Sequence, residues 1–514
     1  APESPGNEIT EFPFFTFLFA DLHAHLIAIP IAITALAASI AAYLRIGRNR
    51  SKFESIAGLV VIGVLVGSLR TINAWDFPTQ LLLTAGFLVG GQLLATNRPV
   101  IERLVIGVAS TLLVAVVGHL VYLPFHANFE LFNNGVIKNQ FSTDLWRYIV
   151  IHSIFLLAVV SWLVFMWRER LSDALEIISN APTKGSGLGA WRWHIVFVLI
   201  AAVAAALSAS GFATISFTVI IGALMLATGT VAYRAGVSGS RYAWVAIGMV
   251  VMAMALAAGV ERFTVKDDIG RMNTVFKFYL QAWILLAMAS AYFLWFLADA
   301  GKFSLSKLRA PRGVWMGALA VLVVGVMIYP VLGTRDRNSE RFEYSGLGLD
   351  GMAYMETVVY NDHEGPLTLK YDLDAIEWMQ ENIKGSPVII EGISDQYRWG
   401  NRVSIYTGLP AVIGWDWHQR QQRVGYARTV SERRAEVDSF FNTSSKFAAR
   451  VILDRYDVKY VYLGEMERAK YLEDGLAKFA DMESNGLVQV YPTVAMTDDG
   501  VDTPVVIYEY AAVE

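Results

Sequence analysis

About ten stretches of this 514-residue chain are apolar over the length that a bilayer demands. A hydrocarbon core of roughly 30 Å takes about 20 residues of helix. Stretches of that kind lie near 26–44, 55–70, 77–96, 104–123, 146–167, 194–209, 212–233, 242–259, 274–298 and 313–333. Those near 55–70 and 194–209 are short, as tilted or partly re-entrant segments are. Several are rich in Gly, Ala and Ser, which lets helices approach closely in lipid. The chain is predicted to be a polytopic α-helical membrane protein.

Charge sorts along the same map. Residues 1–333 carry 23 Lys+Arg and 16 Asp+Glu, whereas residues 334–514 carry 19 and 30. The second part has the charge density of a water-exposed domain. Within the first part, one set of alternate loops holds 16 bases against six acids, from Arg45, Arg48, Arg50 and Lys52 to Lys302, Lys307, Arg309 and Arg312. The opposite set holds seven bases and ten acids. By the positive-inside rule the basic set faces the cytoplasm, so the N-terminal segment and the tail are expected outside. The expected division is an external segment 1–25, a transmembrane domain 26–333 and an extracytoplasmic α/β domain 334–514.

The chain begins at Ala1 rather than Met, without a basic region followed by a short apolar core, and is read as the remainder of something longer. An external Ala1 implies an odd number of helices upstream if the full protein starts in the cytoplasm. Cysteine is absent, which excludes thiol catalysis, Cys-ligated zinc, iron–sulfur clusters and disulfides. There is no internal repeat, no nucleotide-binding Gly-rich loop and no nucleophile elbow. The acidic balance argues against a nucleic-acid partner.

The tail alternates periodicities. Residues 372–383 and 465–480 read as helices, and 387–391, 458–463, 487–491 and 504–510 as strands. That pattern makes a small α/β domain with a mixed sheet.

Five constellations carry chemistry. Asp21-Leu22-His23-Ala24-His25 opens the first span. As helix it puts Asp21 and His25 on one face, and extended it points Asp21, His23 and His25 one way. Either geometry suits a divalent metal, and a polar cap at a helix entry is the structural alternative. Glu261 to Asn273, with Lys277 following, gathers Arg262, Lys266, Asp267, Asp268 and Arg271. Such density can hold a phosphate on its cations and a metal on its carboxylates, or pair internally as a solvated loop. Asn73-Ala74-Trp75-Asp76-Phe77-Pro78 reads as an aromatic-belt anchor or as a loop bringing Asp76 towards Asp21, and Glu11 in Glu11-Phe12-Pro13-Phe14-Phe15 is similar. His119 and His152 sit near the external ends of their spans and would suit a bis-His haem or a chlorophyll. In the tail, Tyr397-Arg398-Trp399-Gly400-Asn401-Arg402 and the run from Gly414 through Trp415 and His418 to Arg423 interleave aromatic faces with cations. They suit a sugar and a phosphate, or a bed of lipid headgroups.

Glu11-Phe12-Pro13-Phe14-Phe15, Asp21 to His25, Asn73 to Pro78 and Gly270-Arg271-Met272-Asn273-Thr274-Val275-Phe276-Lys277 together resemble the YYY family of highly hydrophobic membrane proteins. So do Tyr397 to Gly400 and Tyr460-Val461-Tyr462-Leu463-Gly464-Glu465-Met466-Glu467-Arg468. The resemblance runs from about residue 8 to 510. The Tyr-Tyr-Tyr motif is absent here and is expected upstream. In architecture the family is similar to the GT-C superfamily of lipid-linked glycosyltransferases, which implies an acidic catalytic residue in the first external loop.

The function these readings favour is transfer of a sugar from a polyprenyl-phosphate donor to an extracytoplasmic acceptor. Asp21, His23, His25 and Asp76 are the catalytic candidates. Arg262, Lys266, Arg271, Lys277, Tyr397, Arg398, Trp399, Trp415 and His418 are the substrate-binding ones. Asp21, His25, Asp267 and Asp268 would take a divalent metal, Mg or Mn. The expected partners are membrane lipid and the lipid-phosphate sugar donor, with partner subunits of a membrane complex under the alternative that the chain is a structural or assembly subunit. A further alternative is a haem- or chlorophyll-binding subunit built on His119 and His152.

Overall fold

The computed structural model describes residues 12–20, 23–48, 51–129, 135–139, 141–170, 211–234, 236–237, 239–266, 270–300, 310–341, 348–421, 423, 425–493 and 503–511. The span near 194–209 lies outside them, as do Glu11, Asp21, Asp267 and Asp268. The chain divides between Thr334 and Arg335 into two compact units.

The first unit is helical. After the short α1 (Pro13–Phe19) come α2 (Ala24–Arg45), α3 (Lys52–Ile72), α4 (Asp76–Ala95) and α5 (Val100–Val121), then the short α6 (Leu123–Asn128). Next are α7 (Leu145–Phe165), α8 (Ala213–Arg234), α9 (Ser240–Arg262), α10 (Gly270–Asp299) and α11 (Ala310–Arg341). Among the described residues, nine helices are long and apolar enough to cross a membrane. They answer one for one to the expected spans that fall within those residues, and the chain is an integral, multi-pass membrane protein.

Helix ends follow local chemistry. Ser51 caps α3 by accepting the Glu54 amide at 3.1 Å, and Glu54 adds negative charge to the first turn. At the opposite end of α2, Arg241 donates to the carbonyls of Tyr43 (2.8 Å) and Ile46 (2.6 Å), satisfying acceptors that the helix terminus orphans. Close packing rests on small residues. A Cβ at Gly67 would stand 2.5 Å from Cα of Gly118, so α3 and α5 touch backbone to backbone. Where α2, α4 and α10 begin, the two-stranded ribbon β1 (Val136–Lys138) and β2 (Phe263–Val265) pairs antiparallel and joins the loops before α7 and after α9.

In the second unit a hairpin, β3 (Val359–Asp362) and β4 (Gly365–Thr368), leads into α12 (Leu369–Asn382) and β5 (Val388–Ile390). Helices α13 (Arg402–Thr407), α14 (Asp416–Gln421), α15 (Ala427–Asn442) and α16 (Lys446–Arg455) precede β6 (Val458–Leu463). Then come α17 (Glu465–Lys470), α18 (Glu473–Leu476), β7 (Leu487–Tyr491) and β8 (Val506–Tyr510). The sheet order is β5-β6-β8-β7, with β5 parallel to β6 and the other pairs antiparallel. Strand alternation places Val461 and Leu463 against α15 and α16 while Tyr462 faces the α12 side, so both faces are covered. The helix expected over 465–480 is broken. Tyr471 turns extended after α17, and its hydroxyl donates to Asp438 at 3.0 Å.

Arg402 lies buried at the heart of this unit. It donates to Asp372 at 2.8 Å and to Glu467 at 2.8 and 3.1 Å, with Glu391 at 3.7 Å. Trp399 and Tyr462 donate to Asp372, both at 2.6 Å. Glu391 accepts the Val403 and Ser404 amides at 3.1 and 3.0 Å. Burial pushes the Glu391 carboxyl up to about 7, against the pull of Arg402 and those amides. Burial also opposes ionisation of Glu467, yet the Arg402 charge and hydrogen bonds hold it below the ordinary range.

Two outcomes follow from these contacts. Gly67→Ala forces α3 and α5 apart and lowers the unfolding midpoint, at a cost of about 1–3 kcal/mol. Gly90→Ala, with nothing within 4 Å of the added carbon, leaves the midpoint unchanged. The folded tail holds the Glu391 proton more tightly than the unfolded chain does. That contribution to stability is therefore complete below the ordinary value of 4.5 and is lost as pH rises through about 7. Hydrogen exchange of β5 and α13 in the full chain, corrected for intrinsic rates, should show more opening at pH 8 than at pH 6. Glu391→Gln should flatten that difference.

Candidate functional site

Helices α2, α4 and α10 all begin at one end of the bundle, and each brings a polar residue there. His25 lies in the first turn of α2, Asp76 is the first residue of α4, and Lys277 lies two turns into α10. All three are more than nine-tenths buried. Asp76 is held by Asn73, whose side-chain amide donates to it at 2.8 Å and whose carbonyl accepts its backbone N–H at 3.0 Å. A carboxylate at this position also favours the positive end of the α4 dipole.

Lys277 Nζ lies 3.3 Å from His25 Nδ1, and His23 Nδ1 lies 2.9 Å from the same atom. An ammonium only donates, so a charged Lys277 faces the acceptor side of His25 Nδ1. The edge of Phe276 meets the His25 ring at 4.8 Å, and Lys277 Nζ lies 4.8 Å from the centre of the Phe276 ring. Lys277 is also an electrostatic neighbour of Asp76. A carboxylate, an imidazole and a cation are thus assembled from residues as far as 252 positions apart.

Beside His25 and Asp76 lies a small, partly open cleft lined by α2, α4 and α10. Its α2 wall beyond His25 is apolar: Ile29, Ala32, Ile33 and Leu36. Leu36, eleven residues beyond His25 in the sequence, stands roughly 16 Å further along the helix. The α4 wall is polar, formed by Asp76, Thr79 and Gln80, and α10 contributes Gln281 between Leu280 and Ile284. Gln281 Nε2 donates to the Trp75 carbonyl at 3.1 Å, tying α10 to the Asn73–Asp76 loop. Sequence reasoning missed Thr79, Gln80 and Gln281. The signal was present: Gln80 follows Asp76, and Gln281 follows Lys277, at the i+4 spacing that keeps side chains on one helix face.

The other expected residues stand elsewhere. Arg271 precedes Lys277 by six positions, a turn of about 240°, so the two cations leave α10 on different sides. Arg271 is buried and donates to Glu261 and to the Thr143 hydroxyl, both at 2.7 Å. Glu261 accepts the Thr143 amide at 2.7 Å and the Tyr279 hydroxyl at 3.4 Å. Arg262 is exposed, over the Phe212 ring at 4.4 Å. Lys266 is exposed beside the ribbon, its amide donating to the Gly135 carbonyl at 3.0 Å.

His152 is buried among Tyr148, Tyr279 and Trp283 and has its Nδ1 3.0 Å from the Tyr148 carbonyl, whereas His119 is exposed and stacks on His126 at 5.2 Å. In the tail, Tyr397, Trp415 and His418 form one aromatic cluster, with the Tyr397 hydroxyl 3.1 Å from His418 Nε2. Arg398 bonds His363 at 2.6 Å, and Trp399 turns inward to Asp372.

Of the expected metal set only His25 lies among the described residues, and the ammonium beside its Nδ1 repels a divalent cation at that nitrogen. Among the described residues no group of three or more His, Asp or Glu is placed to hold a metal.

Comparisons with known proteins bear on the whole chain. No curated protein matches the sequence. Three solved structures of the oligosaccharyltransferase of Archaeoglobus fulgidus are similar to it. The one with zinc and sulfate is 17% identical at a TM-score of 0.34, over 91% of this chain and 54% of that one. The one with an inhibitory peptide and a dolichol-phosphate is 16% identical at 0.32, over 96% and 57%. The one tethered to an acceptor peptide containing the NVT sequon is 15% identical at 0.37, over 99% and 58%. The chain thus spans little more than half the length of these enzymes. The profile of a family described as uncharacterized membrane protein (DUF2298) matches residues 6–286, more than half of the chain, and the chain belongs to that family.

Proposed function

We propose that the protein is a membrane glycosyltransferase that moves a sugar from a polyprenyl-phosphate donor to an acceptor on the extracytoplasmic side. The observation that carries this reading is the cleft, whose polar end holds Asp76 and His25, with Lys277 against His25, and whose α2 wall is apolar well into the span. A substrate that fits such a site has a charged head and a hydrocarbon tail.

In the transfer, the acceptor hydroxyl gives its proton to a carboxylate as its oxygen bonds the anomeric carbon. The bond from that carbon to the phosphate oxygen breaks, and the electron pair leaves with the lipid phosphate. Asp76 serves as the base, and Asp21 shares or takes that role. Lys277 and the His25 imidazole meet the charge that develops on the leaving phosphate. His23 supports His25 through the Nδ1 contact. Arg262 and Lys266 are outer contacts for the head group, and Asp267 and Asp268 are contacts for the acceptor or a metal. The cluster of Tyr397, Trp415 and His418, with Tyr397 exposed and Arg398 beside it, is a surface for acceptor sugars. Arg271 and Trp399 serve by fixing the elements on which these groups stand.

Asp76→Asn should lower turnover of a polyprenyl-phosphate hexose by about 10²- to 10⁴-fold while the protein remains folded. Lys277→Met should weaken binding of the bare lipid phosphate by about 10- to 100-fold. Both are measured on protein in nanodiscs. Full transfer by Asp76→Asn together with full transfer by Asp21→Ala would refute the reading.

A further inference from the structure

The end of the bundle at which α4 begins is also where α3 and α5 finish, and a second polar group gathers there. The two helices cross closely through small residues. A Cβ at Gly63 would stand 2.8 Å from the Val117 side chain, and one at Gly67 would stand 2.5 Å from Cα of Gly118. The Tyr122 hydroxyl donates to the Val64 carbonyl at 3.2 Å and ties the end of α5 to α3. Arg70 lies three positions beyond Gly67, on the same side of α3, and His119 follows Gly118 on α5. The short α6 brings His126 onto His119, with the rings 8° from parallel and 5.2 Å apart. Arg70 and His119 are both electrostatic neighbours of His126.

Three elements thus contribute one basic side chain each. Arg70 and His119 are exposed, and His126 is half-buried. Among the described residues none of the three side chains has a carboxylate partner or a hydrogen bond. A guanidinium offers five donors and a fixed charge, and each neutral imidazole adds one N–H. Such a set suits an anion with several acceptor oxygens, a phosphate above all.

The surface that continues from these groups distinguishes a lipid from a free ion. Val105, Val108, Leu112 and Val116 follow the three- and four-residue spacing that puts them on one face of α5 with His119. Their exposures are 60%, 48%, 59% and 51%. From Val105 to His119 that stripe runs roughly 21 Å along the helix, more than one leaflet's half of a core roughly 30 Å thick. A dissolved phosphate gains nothing from an apolar stripe, whereas a phospholipid uses both parts. A choline or ethanolamine headgroup carries its own ammonium, for which the described residues of this group provide no carboxylate. A headgroup with a net negative charge is the better match.

We infer that Arg70, His119 and His126 form a binding site for an anionic phospholipid of the surrounding bilayer. Its phosphate rests on the three basic groups, and one acyl chain lies along the apolar stripe of α5. The site shares no residue with the cleft between α2, α4 and α10 and does not depend on the glycosyltransferase reading.

Native mass spectrometry of the full chain in detergent tests this by titration with phosphatidylglycerol, with phosphatidylcholine of the same acyl chains, and with inorganic phosphate. Wild-type protein should bind phosphatidylglycerol about fivefold more tightly than phosphatidylcholine. Arg70→Gln should bring the two lipids within about twofold, and so should His119→Ala combined with His126→Ala. Lys52→Gln, at the other end of α3, should keep the wild-type preference. Arg70→Gln removes no side-chain contact among the described residues, so its unfolding midpoint in lipid-free detergent should match the wild type. If that midpoint falls, the histidine pair carries the test. Equal binding of the two lipids by the wild type overturns the inference, as does a preference that survives both sets of substitutions. Displacement of phosphatidylglycerol by millimolar inorganic phosphate overturns it too, because the site would then take an anion without its lipid.

Discussion

Hydrocarbon does not solvate polar groups, and the membrane unit is organised by how it meets that constraint. It does so in two ways. Near the ribbon, Glu261 and Arg271 close on each other with Thr143 and Tyr279, and so join the loop before α7 to α9 and α10. Removing one member of such a pair leaves an uncompensated charge, typically at about 3–5 kcal/mol, which makes it a structural clasp. In the cleft between α2, α4 and α10, the polar groups are only partly answered. Asp76 is held by Asn73 and His25 meets Lys277, while Thr79 Oγ1, Gln80 Oε1 and Gln281 Oε1 find no partner among the described residues.

The same contrast holds in the second unit. One arginine, Arg402, draws Asp372, Glu391 and Glu467 into a buried network that binds α12, α13, β5 and α17 together. Tyr397, Trp415 and His418 remain as an aromatic cluster whose Tyr397 is largely exposed, with Trp417 beside His418 at 5.5 Å.

Much of this was legible in the residues. Apolar length alone finds every spanning helix among the described residues, because burial in lipid imposes a minimum run whatever the tertiary contacts. Alternation finds β6, β7 and β8 for a similar reason. The site was legible in part. His25, Asp76 and Lys277 stand out as polar residues at the ends of apolar spans. That Lys277 and not Arg271 meets His25 depends on the angular position of each around α10, and both lie in one conspicuously charged stretch. Gln80 and Gln281 carry no charge and are lost among apolar neighbours unless the i+4 spacing is followed from Asp76 and Lys277. Arg402 reads as part of an aromatic and basic run on the surface. Only the fold brings it to carboxylates from 30 positions before it and 65 after it. The break after α17 could not be read from periodicity, because it depends on Tyr471 reaching Asp438 on another helix.

The central claim is that the cleft between α2, α4 and α10 holds a lipid-linked head group with its hydrocarbon chain along α2. Photo-crosslinking tests it most directly, with a polyprenyl phosphate that carries a diazirine on an isoprene unit near the phosphate and with peptide mapping of the labelled protein. Labelling concentrated at Ile29, Ile33 and Ile284, and competed away by unlabelled lipid phosphate, is the predicted result. Labelling spread over the exposed faces of α5 and α11, with no competable excess in the cleft, would contradict it.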